Sequence, residues 1–107
     1  MRAYESLRRR GDFARVTRRG KRSAGTYLTC FVAGGRRRTR VGITIAGSIG
    51  GAVVRNRLRR RIKAILDRYP LSAPPWRDVV FIARPGAGEL PFAALSGEIA
   101  RVFRTAS

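Results

Sequence analysis

The sequence predicts an α+β fold, a sandwich in which helices pack on a small mixed sheet. Two segments, residues 52–68 and 91–103, carry apolar residues at helical spacing. Residues 27–32 and 40–45 are rich in β-forming side chains. Residues 79–82 form a continuous apolar run, which is typical of a strand covered on both faces.

The N-terminal part of the chain predicts one short helix. Asp12 is suited to cap a helix over residues 13–19, and Gly20 is suited to end it. Phe13 and Val16 would form the buried side of this helix, because they lie three residues apart.

Two strands follow, over residues 27–32 and 40–45. The Gly34-Gly35 pair between them predicts a turn, so the two strands are predicted to form an antiparallel pair. Apolar side chains alternate along the second strand, at Val41, Ile43 and Ile45. The next glycines, which predict a flexible approach to the following helix, are Gly47, Gly50 and Gly51.

Residues 52–68, which we call the arginine helix, are the most informative segment. One apolar stripe needs a core to cover it and consists of Val54, Leu58, Ile62 and Ile65. Basic side chains flank the stripe, with Arg57, Arg61 and Arg68 on one side and Arg55 and Arg59 on the other. The residues predicted to point away from the stripe are Asn56, Arg60 and Lys63. A helix made only for solubility usually mixes charges of both signs, whereas Asp67 is the single acidic residue in this segment.

The C-terminal part predicts a strand and a helix. Tyr69-Pro70 ends the arginine helix, and a strand over residues 78–83 is broken by Pro85-Gly86. A helix over residues 91–103 then closes the fold. Its core-facing residues are predicted to be Phe92, Leu95, Ile99, Val102 and Phe103.

The net charge of +18, from 24 basic and 6 acidic residues, predicts a polyanionic partner that relieves self-repulsion. Nucleic acid is the leading candidate, and an anionic membrane surface is the weaker one. The length of 107 residues favours one domain, residues 1–107. No apolar run is long enough to span a bilayer, and residues 1–13 lack the apolar stretch of a secretory signal. We therefore expect a cytoplasmic protein.

The composition argues against a self-sufficient enzyme. The chain has no histidine, the usual acid-base residue at neutral pH, and one cysteine, Cys30. Its six acidic residues are scattered along the sequence, so no carboxylate cluster for catalytic metal ions is evident. We expect no catalytic residue, no metal site and no cofactor in the protein itself.

Other basic and aromatic residues have two interpretations each. Arg36-Arg37-Arg38 is either a solvated hairpin tip or a phosphate contact. Tyr27, Phe31 and Trp76 either stack on RNA bases or fill the core, and core burial is the more common fate. Cys30 is interpreted as an ordinary strand residue rather than a reactive thiol.

Residues 49–60, IGGAVVRNRLRR, resemble the signature of the bacterial ribonuclease P protein component: a glycine, Ala-Val, Arg-Asn-Arg and a basic pair on one helix. Three flanking segments also resemble that family, namely residues 7–20, 41–44 and 78–85. The resemblance implies an accessory protein for a catalytic RNA that removes the 5′ leader of precursor tRNA with Mg²⁺. It also implies a two-layer α-β sandwich with a left-handed β-α-β crossover through the arginine helix, like a ribosomal protein domain.

The resemblance further implies two RNA-binding regions and no small-molecule substrate. The residues that would face the catalytic RNA are Arg55, Asn56, Arg57, Arg59, Arg60, Arg61 and Lys63. A cleft between the first helix and the sheet would hold the leader and include Phe13, Arg15, Thr17, Arg18, Arg22, Tyr27, Cys30 and Arg36. Members often carry Phe where this chain has Thr17 and Tyr where it has Cys30, so phosphate contacts from the arginines would compensate.

Two other functions fit the charge and the predicted elements. A structural RNA-binding protein, such as a ribosomal one, would copurify with ribosomal RNA. A metal-dependent nuclease would cleave RNA after every trace of its own RNA was removed.

Overall fold

Five strands form one mixed sheet in the order β1-β4-β5-β3-β2, and three helices pack on it. The computed structural model describes residues 3–107. The strands are β1 Glu5–Ser6, β2 Lys21–Ala24, β3 Leu28–Gly34, β4 Arg40–Thr44 and β5 Arg77–Ala83. The helices are α1 Arg10–Arg19, α2 Ala52–Leu66 and α3 Phe92–Ala106, with short 3₁₀ turns at Gly47–Ile49 and Ala87–Glu89.

Strand β5 lies at the centre of the sheet. It pairs antiparallel with β3 and parallel with β4. The predicted antiparallel pairing of β3 with β4 is therefore wrong, because β5 lies between them. Strand β5 contains a continuous apolar run, and both of its faces are buried. Such a strand belongs at the centre of a sheet, where it has a neighbour on each side and a cover on each face.

The alternation of β5 divides the interior into two cores. Val79 and Phe81 face the main core, which α2 and α3 cover. Val80 faces a smaller core with Leu7 and Val16, which α1 covers. The predicted α+β sandwich with a small mixed sheet is confirmed, and α1 adds a partial cover on the second face.

The arginine helix is close to its predicted bounds. Its buried residues are Leu58, Ile62, Ile65 and Leu66. It ends at Leu66, two residues before the predicted end, and Asp67 caps it. In the approach to the helix, Gly50 is tightly packed, because a Cβ there would lie 2.9 Å from Val54 Cγ1, whereas a Cβ on Gly47 or Gly51 would meet no described atom within 4 Å.

Helix α2 connects the adjacent parallel strands β4 and β5. This is the crossover that the family resemblance implies; its left-handedness stays a prediction. Within residues 3–107, no helix combines the length and the apolar composition that a membrane crossing needs.

The ends of the other helices differ from prediction. Helix α1 begins at Arg10, so Asp12 lies in its first turn and is not its cap. Gly20 does end α1, as predicted. Helix α3 begins at Phe92 and continues to Ala106, three residues beyond the predicted end.

Strands β1 and β2 were not predicted. Strand β1 has two residues, which is too short for any alternating pattern, and its pairing with β4 defines it. Strand β2 has one buried side chain, Ser23, and pairs antiparallel with β3 along its whole length. Backbone pairing with a neighbour, rather than apolar composition, makes these segments strands.

Candidate nucleic-acid interface

Helix α2 presents a basic face to solvent. Its apolar stripe is buried against the main core, while Asn56, Arg57 and Arg60 are exposed. No acidic residue occurs between Ala52 and Leu66. The charge of this face therefore has no counter-charge on its own helix.

Backbone carbonyls hold one flank of this face. Arg57 donates to the carbonyl oxygen of Gly88 at 3.4 Å, and Arg61 donates to that of Leu90 at 3.1 Å. Gly88 lets the 3₁₀ turn at Ala87–Glu89 lie close to α2, since a Cβ on Gly88 would be 2.6 Å from Val54 Cγ1. A carbonyl orients a guanidinium without neutralising it, so both arginines keep their charge.

The other flank of α2 meets the edge of the sheet. Arg59 and Lys63 line a cleft of about 140 Å³ together with Tyr4 of the N-terminal segment and Phe13 of α1. Lys63 thus lies beside Arg59 and is half-buried, whereas the sequence predicted that it points away from the core. On the same helix, Arg55 Nε is buried without a hydrogen-bond partner among the described residues.

Helix α1 divides its face of the sheet into two sides. Val16 points into the sheet and is fully buried. At 100° per residue, Phe13 and Thr17 lie on one flank of Val16, and Asp12 and Arg15 lie on the other. The two flanks have different chemistry.

The Phe13 flank is partly apolar. The Phe13 ring lies directly over β4, where a Cβ on Gly42 would be 2.4 Å from its Cζ. Phe31 of β3 is half-buried in the same small core as Phe13. Arg22 of β2 is paired with Phe31 across the strands, so both side chains stand on this face. We call Phe13, Thr17, Arg22 and Phe31 the aromatic face.

The Asp12 flank borders a polar cleft of about 890 Å³, which we call the arginine cleft. Its side-chain lining consists of Glu5, Arg9, Asp12, Arg15, Arg36, Arg37, Arg38, Arg40 and Asp78. Asp78 is its anchor: the side chain is 1% exposed and accepts hydrogen bonds from both Arg40 and Arg15. Arg40 binds Asp78 in a bidentate manner at 2.8 and 2.9 Å.

The carboxylate of Asp78 and the guanidinium of Arg40 shift each other's pKa. Burial alone would raise the pKa of Asp78, but the hydrogen bonds and charges of Arg40 and Arg15 outweigh it and lower that pKa. The hydrogen bond to Asp78 likewise raises the pKa of Arg40. Asp78 therefore stays ionised and fixes two arginines at the mouth of the cleft.

Comparison with known proteins identifies the family. The ribonuclease P family profile matches residues 1–107. The chain belongs to the ribonuclease P protein family. It is 43% identical to the ribonuclease P protein component of Roseiflexus castenholzii over 108 residues, which cover 98% of this chain and 87% of that one. It is 37% identical to that of Acidothermus cellulolyticus over 99 residues, with 90% and 82% covered.

Solved structures of ribonuclease P proteins share this fold. The Thermotoga maritima protein aligns with a TM-score of 0.78 at 27% identity, covering 91% of this chain and 93% of that one. The Staphylococcus aureus protein aligns with a TM-score of 0.87 at 22% identity, covering 95% and 94%.

The structure separates the residues that were predicted to form one leader cleft. Phe13, Thr17 and Arg22 lie at the aromatic face. Arg15 and Arg36 lie in the arginine cleft, across α1 from that face. Arg18 is exposed on the outer side of α1, away from the sheet.

Two of the predicted cleft residues lie elsewhere, which corrects the prediction. Cys30 is fully buried in the main core, on the α3 side of the sheet, and burial raises the pKa of its thiol to about 12. Tyr27 packs against the same core and beside Gly86, while its backbone N–H donates to the Glu98 carboxylate. Neither side chain reaches the face that α1 borders.

Phe31 is the residue that the predicted cleft omitted. Strand alternation could have found it, because Leu28, Cys30 and Val32 face the main core and the residues between them must face the other way. The resemblance to the family implies Cys30 and Tyr27 in the cleft instead.

Proposed function

We propose that this chain is the protein subunit that assists a catalytic RNA in removing the 5′ leader of precursor tRNA. The observation that carries the proposal is the outward face of α2, which is basic, free of carboxylates and fixed on the core by a buried stripe. A rigid cationic surface suits a folded polyanion, since each phosphate that it neutralises releases counterions. Membership of the ribonuclease P family supports a catalytic RNA as the partner.

The residues assigned to the catalytic RNA are Arg55, Asn56, Arg57, Arg59, Arg60, Arg61 and Lys63. Arg60 and Asn56 contact it from the centre of the exposed face. Arg57 and Arg61 contact it from a flank where carbonyls hold their guanidinium groups in place.

The aromatic face is assigned to the single-stranded leader. Phe13 and Phe31 supply half-buried rings on which bases stack, and Arg22 supplies a phosphate contact beside them. The small cleft lined by Phe13, Arg59 and Lys63 connects this face with α2, so one bound substrate can contact both regions.

The chemistry is assigned to the RNA and its Mg²⁺ ions. Mg²⁺ prefers carboxylate oxygens in proteins, but the carboxylates that gather in this chain are paired with arginines: Asp78 and Asp12 with Arg40, and Glu5 with Arg38. These residues do not fit a magnesium site, and within residues 3–107 no group of three potential ligands lies together. The protein's part is to reduce repulsion between two RNAs, in the cytoplasm where precursor tRNA is processed.

The test is cleavage of precursor tRNA by the catalytic RNA, with and without the protein, across a series of Mg²⁺ concentrations and leader lengths. We expect the largest benefit at low Mg²⁺, where repulsion between the RNAs is least screened. We also expect tighter binding of RNA with a leader of several nucleotides than of mature tRNA.

Each part of the proposal can fail separately. Cleavage by RNase-treated protein alone would overturn the accessory role. Equal benefit for leader-bearing and leaderless RNA would remove the leader assignment but leave assembly with the catalytic RNA intact. Copurification with ribosomal RNA instead of the ribonuclease P RNA would favour the structural RNA-binding function.

A further inference from the structure

The arginine cleft carries more positive charge than its carboxylates neutralise. The three carboxylates in its described lining, Glu5, Asp12 and Asp78, are matched by Arg38, Arg40 and Arg15. The remaining arginines are Arg9, Arg36 and Arg37, which are exposed and make no ion pair among residues 3–107. The cleft therefore keeps three guanidinium groups directed at solvent in one concavity.

The loop that carries two of these arginines is fixed at both ends. Gly35 donates its backbone N–H to the carbonyl of Trp76 at 2.9 Å, and a Cβ on Gly35 would lie 2.8 Å from the backbone N of Arg77. Thr39 is buried, and its hydroxyl accepts the backbone N–H of Arg77 at 3.2 Å. Residues 36–38 therefore form a short loop whose two ends are held on β5, so the backbone of the loop loses little further freedom on binding.

The wall behind these arginines is also fixed. Asp78 and Asp12 together hold Arg40, and Asp78 holds Arg15. These groups carry balanced charge, so they shape the cleft without adding to its positive potential. The cleft thus has a neutral, ordered wall and a cationic rim formed by Arg9, Arg36 and Arg37.

The lining indicates which form of RNA fits. As far as residues 3–107 define it, the lining consists of arginine, aspartate, glutamate and glycine, with no aromatic ring. Single-stranded RNA is usually bound on aromatic side chains that stack on its bases, whereas a double helix turns its bases inward and presents phosphates and 2′-hydroxyls. Arginine forks match phosphate oxygens in a bidentate geometry.

We propose that the arginine cleft binds the phosphodiester backbone of double-stranded RNA, with Arg9, Arg36 and Arg37 as the phosphate contacts. This is a third RNA-binding surface, separated from the aromatic face by α1. It contacts RNA by shape and charge, without reading sequence. It does not depend on the proposed function, because any RNA duplex supplies the ligand.

The experiment measures binding of the full-length protein to an RNA duplex of about 16 base pairs, the span that double-stranded RNA modules cover, and to an unpaired strand of equal length. The variants are Arg36→Gln and Arg37→Gln. Arg104→Gln is the matched control, because Arg104 is exposed on α3, makes no ion pair among the described residues and carries the same charge.

Each cleft variant should lower duplex affinity by about eightfold at about 0.1 M salt and reduce the slope of log affinity against log salt by about 0.9. The control should lose less than about twofold, and melting temperatures should be unchanged because none of the three arginines supports the fold. Duplex affinity within twofold of the unmodified protein would overturn the proposal. An equal loss on the unpaired strand, or in the control, would also overturn it.

Failure of this proposal is distinguishable from failure of the proposed function. If Arg60→Gln weakens assembly with the catalytic RNA while Arg36→Gln leaves duplex binding unchanged, the cleft proposal alone is wrong. If Arg36→Gln weakens duplex binding while Arg60→Gln leaves assembly unchanged, the arginine-helix assignment alone is wrong.

Discussion

The arginine helix and the arginine cleft use the same residue in opposite ways. In α2, Arg57 and Arg61 donate to backbone carbonyls, and no carboxylate occurs along the helix. In the cleft, Arg15 and Arg40 donate to the buried carboxylate of Asp78. A carbonyl orients a guanidinium and leaves its charge, whereas a carboxylate orients it and cancels its charge. The number of arginines in a region therefore does not give the charge available to a partner.

The two regions also depend on different forces for their structure. The arginine helix is fixed by its apolar stripe, so its charges are free to serve binding. The rear wall of the cleft is fixed by ion pairs around a carboxylate that is 1% exposed, so charge there serves folding. Four measurements test this contrast.

Leu58→Ala should destabilise the protein most, by about 2–5 kcal/mol, because it removes a buried side chain and leaves a cavity under α2. Denaturant unfolding gives this free energy. Val53→Ala is the control on the same helix, since Val53 is 78% exposed. A small loss for Leu58→Ala would mean that the apolar stripe does not hold the arginine helix in place.

Asp78→Asn should destabilise by about 2–3 kcal/mol. The loss of one partner of a buried ion pair leaves uncompensated charge, and the effect is reduced here because both arginines are about one-third exposed. Glu89→Gln removes the same charge from an exposed position and should change stability little. Equal effects in the two variants would contradict a structural role for charge in the cleft.

Lowering the pH should reproduce part of the destabilisation expected for Asp78→Asn. The pKa of Asp78 is lower in the folded protein than in the unfolded chain, so the unfolded chain binds more protons as the pH falls. The contribution of Asp78 is complete above about pH 5 and declines below that value. The difference in unfolding free energy between the unmodified protein and Asp78→Asn should therefore shrink between about pH 5 and pH 3. A difference that stays constant over this range would be inconsistent with the ion pairs.

Arg60→Gln should have the smallest effect on stability, below about 0.5 kcal/mol, because its side chain is exposed and makes no ion pair among the described residues. Its affinity for the catalytic RNA should nevertheless fall by about eightfold at about 0.1 M salt. Thermal melts and RNA titrations of the same preparation, with Arg104→Gln as the control, separate the two effects. A variant that unfolds but keeps its RNA affinity would reverse the assignment of helix faces.

The sequence predicted the elements that carry a strong local pattern. The arginine helix, the central strand β5 and helix α3 each repeat apolar residues at a spacing that one face of the element must bury. It did not predict β1 or β2, which are defined by backbone pairing with β4 and with β3 rather than by an apolar pattern. It predicted the wrong partner for β4, because strand order depends on contacts between residues far apart in the chain.

The candidate site likewise has parts that the sequence predicted and parts that it did not. The basic residues of α2 and their outward face follow from helical periodicity and composition, so the sequence alone determined them. The placement of Cys30 and Tyr27 away from the aromatic face, and of Phe31 on it, depends on which side of β3 the helix α1 covers.

What the sequence by itself determined is the total charge, the lack of histidine and, apart from Lys63, the face that α2 turns outward. Only the tertiary structure decided which charges remain free. Asp78 and Arg40 are 38 residues apart, and they form an ion pair because β4 and β5 lie side by side in parallel register. Coulomb energy depends on distance in space and on burial, and neither quantity is set by position along the chain.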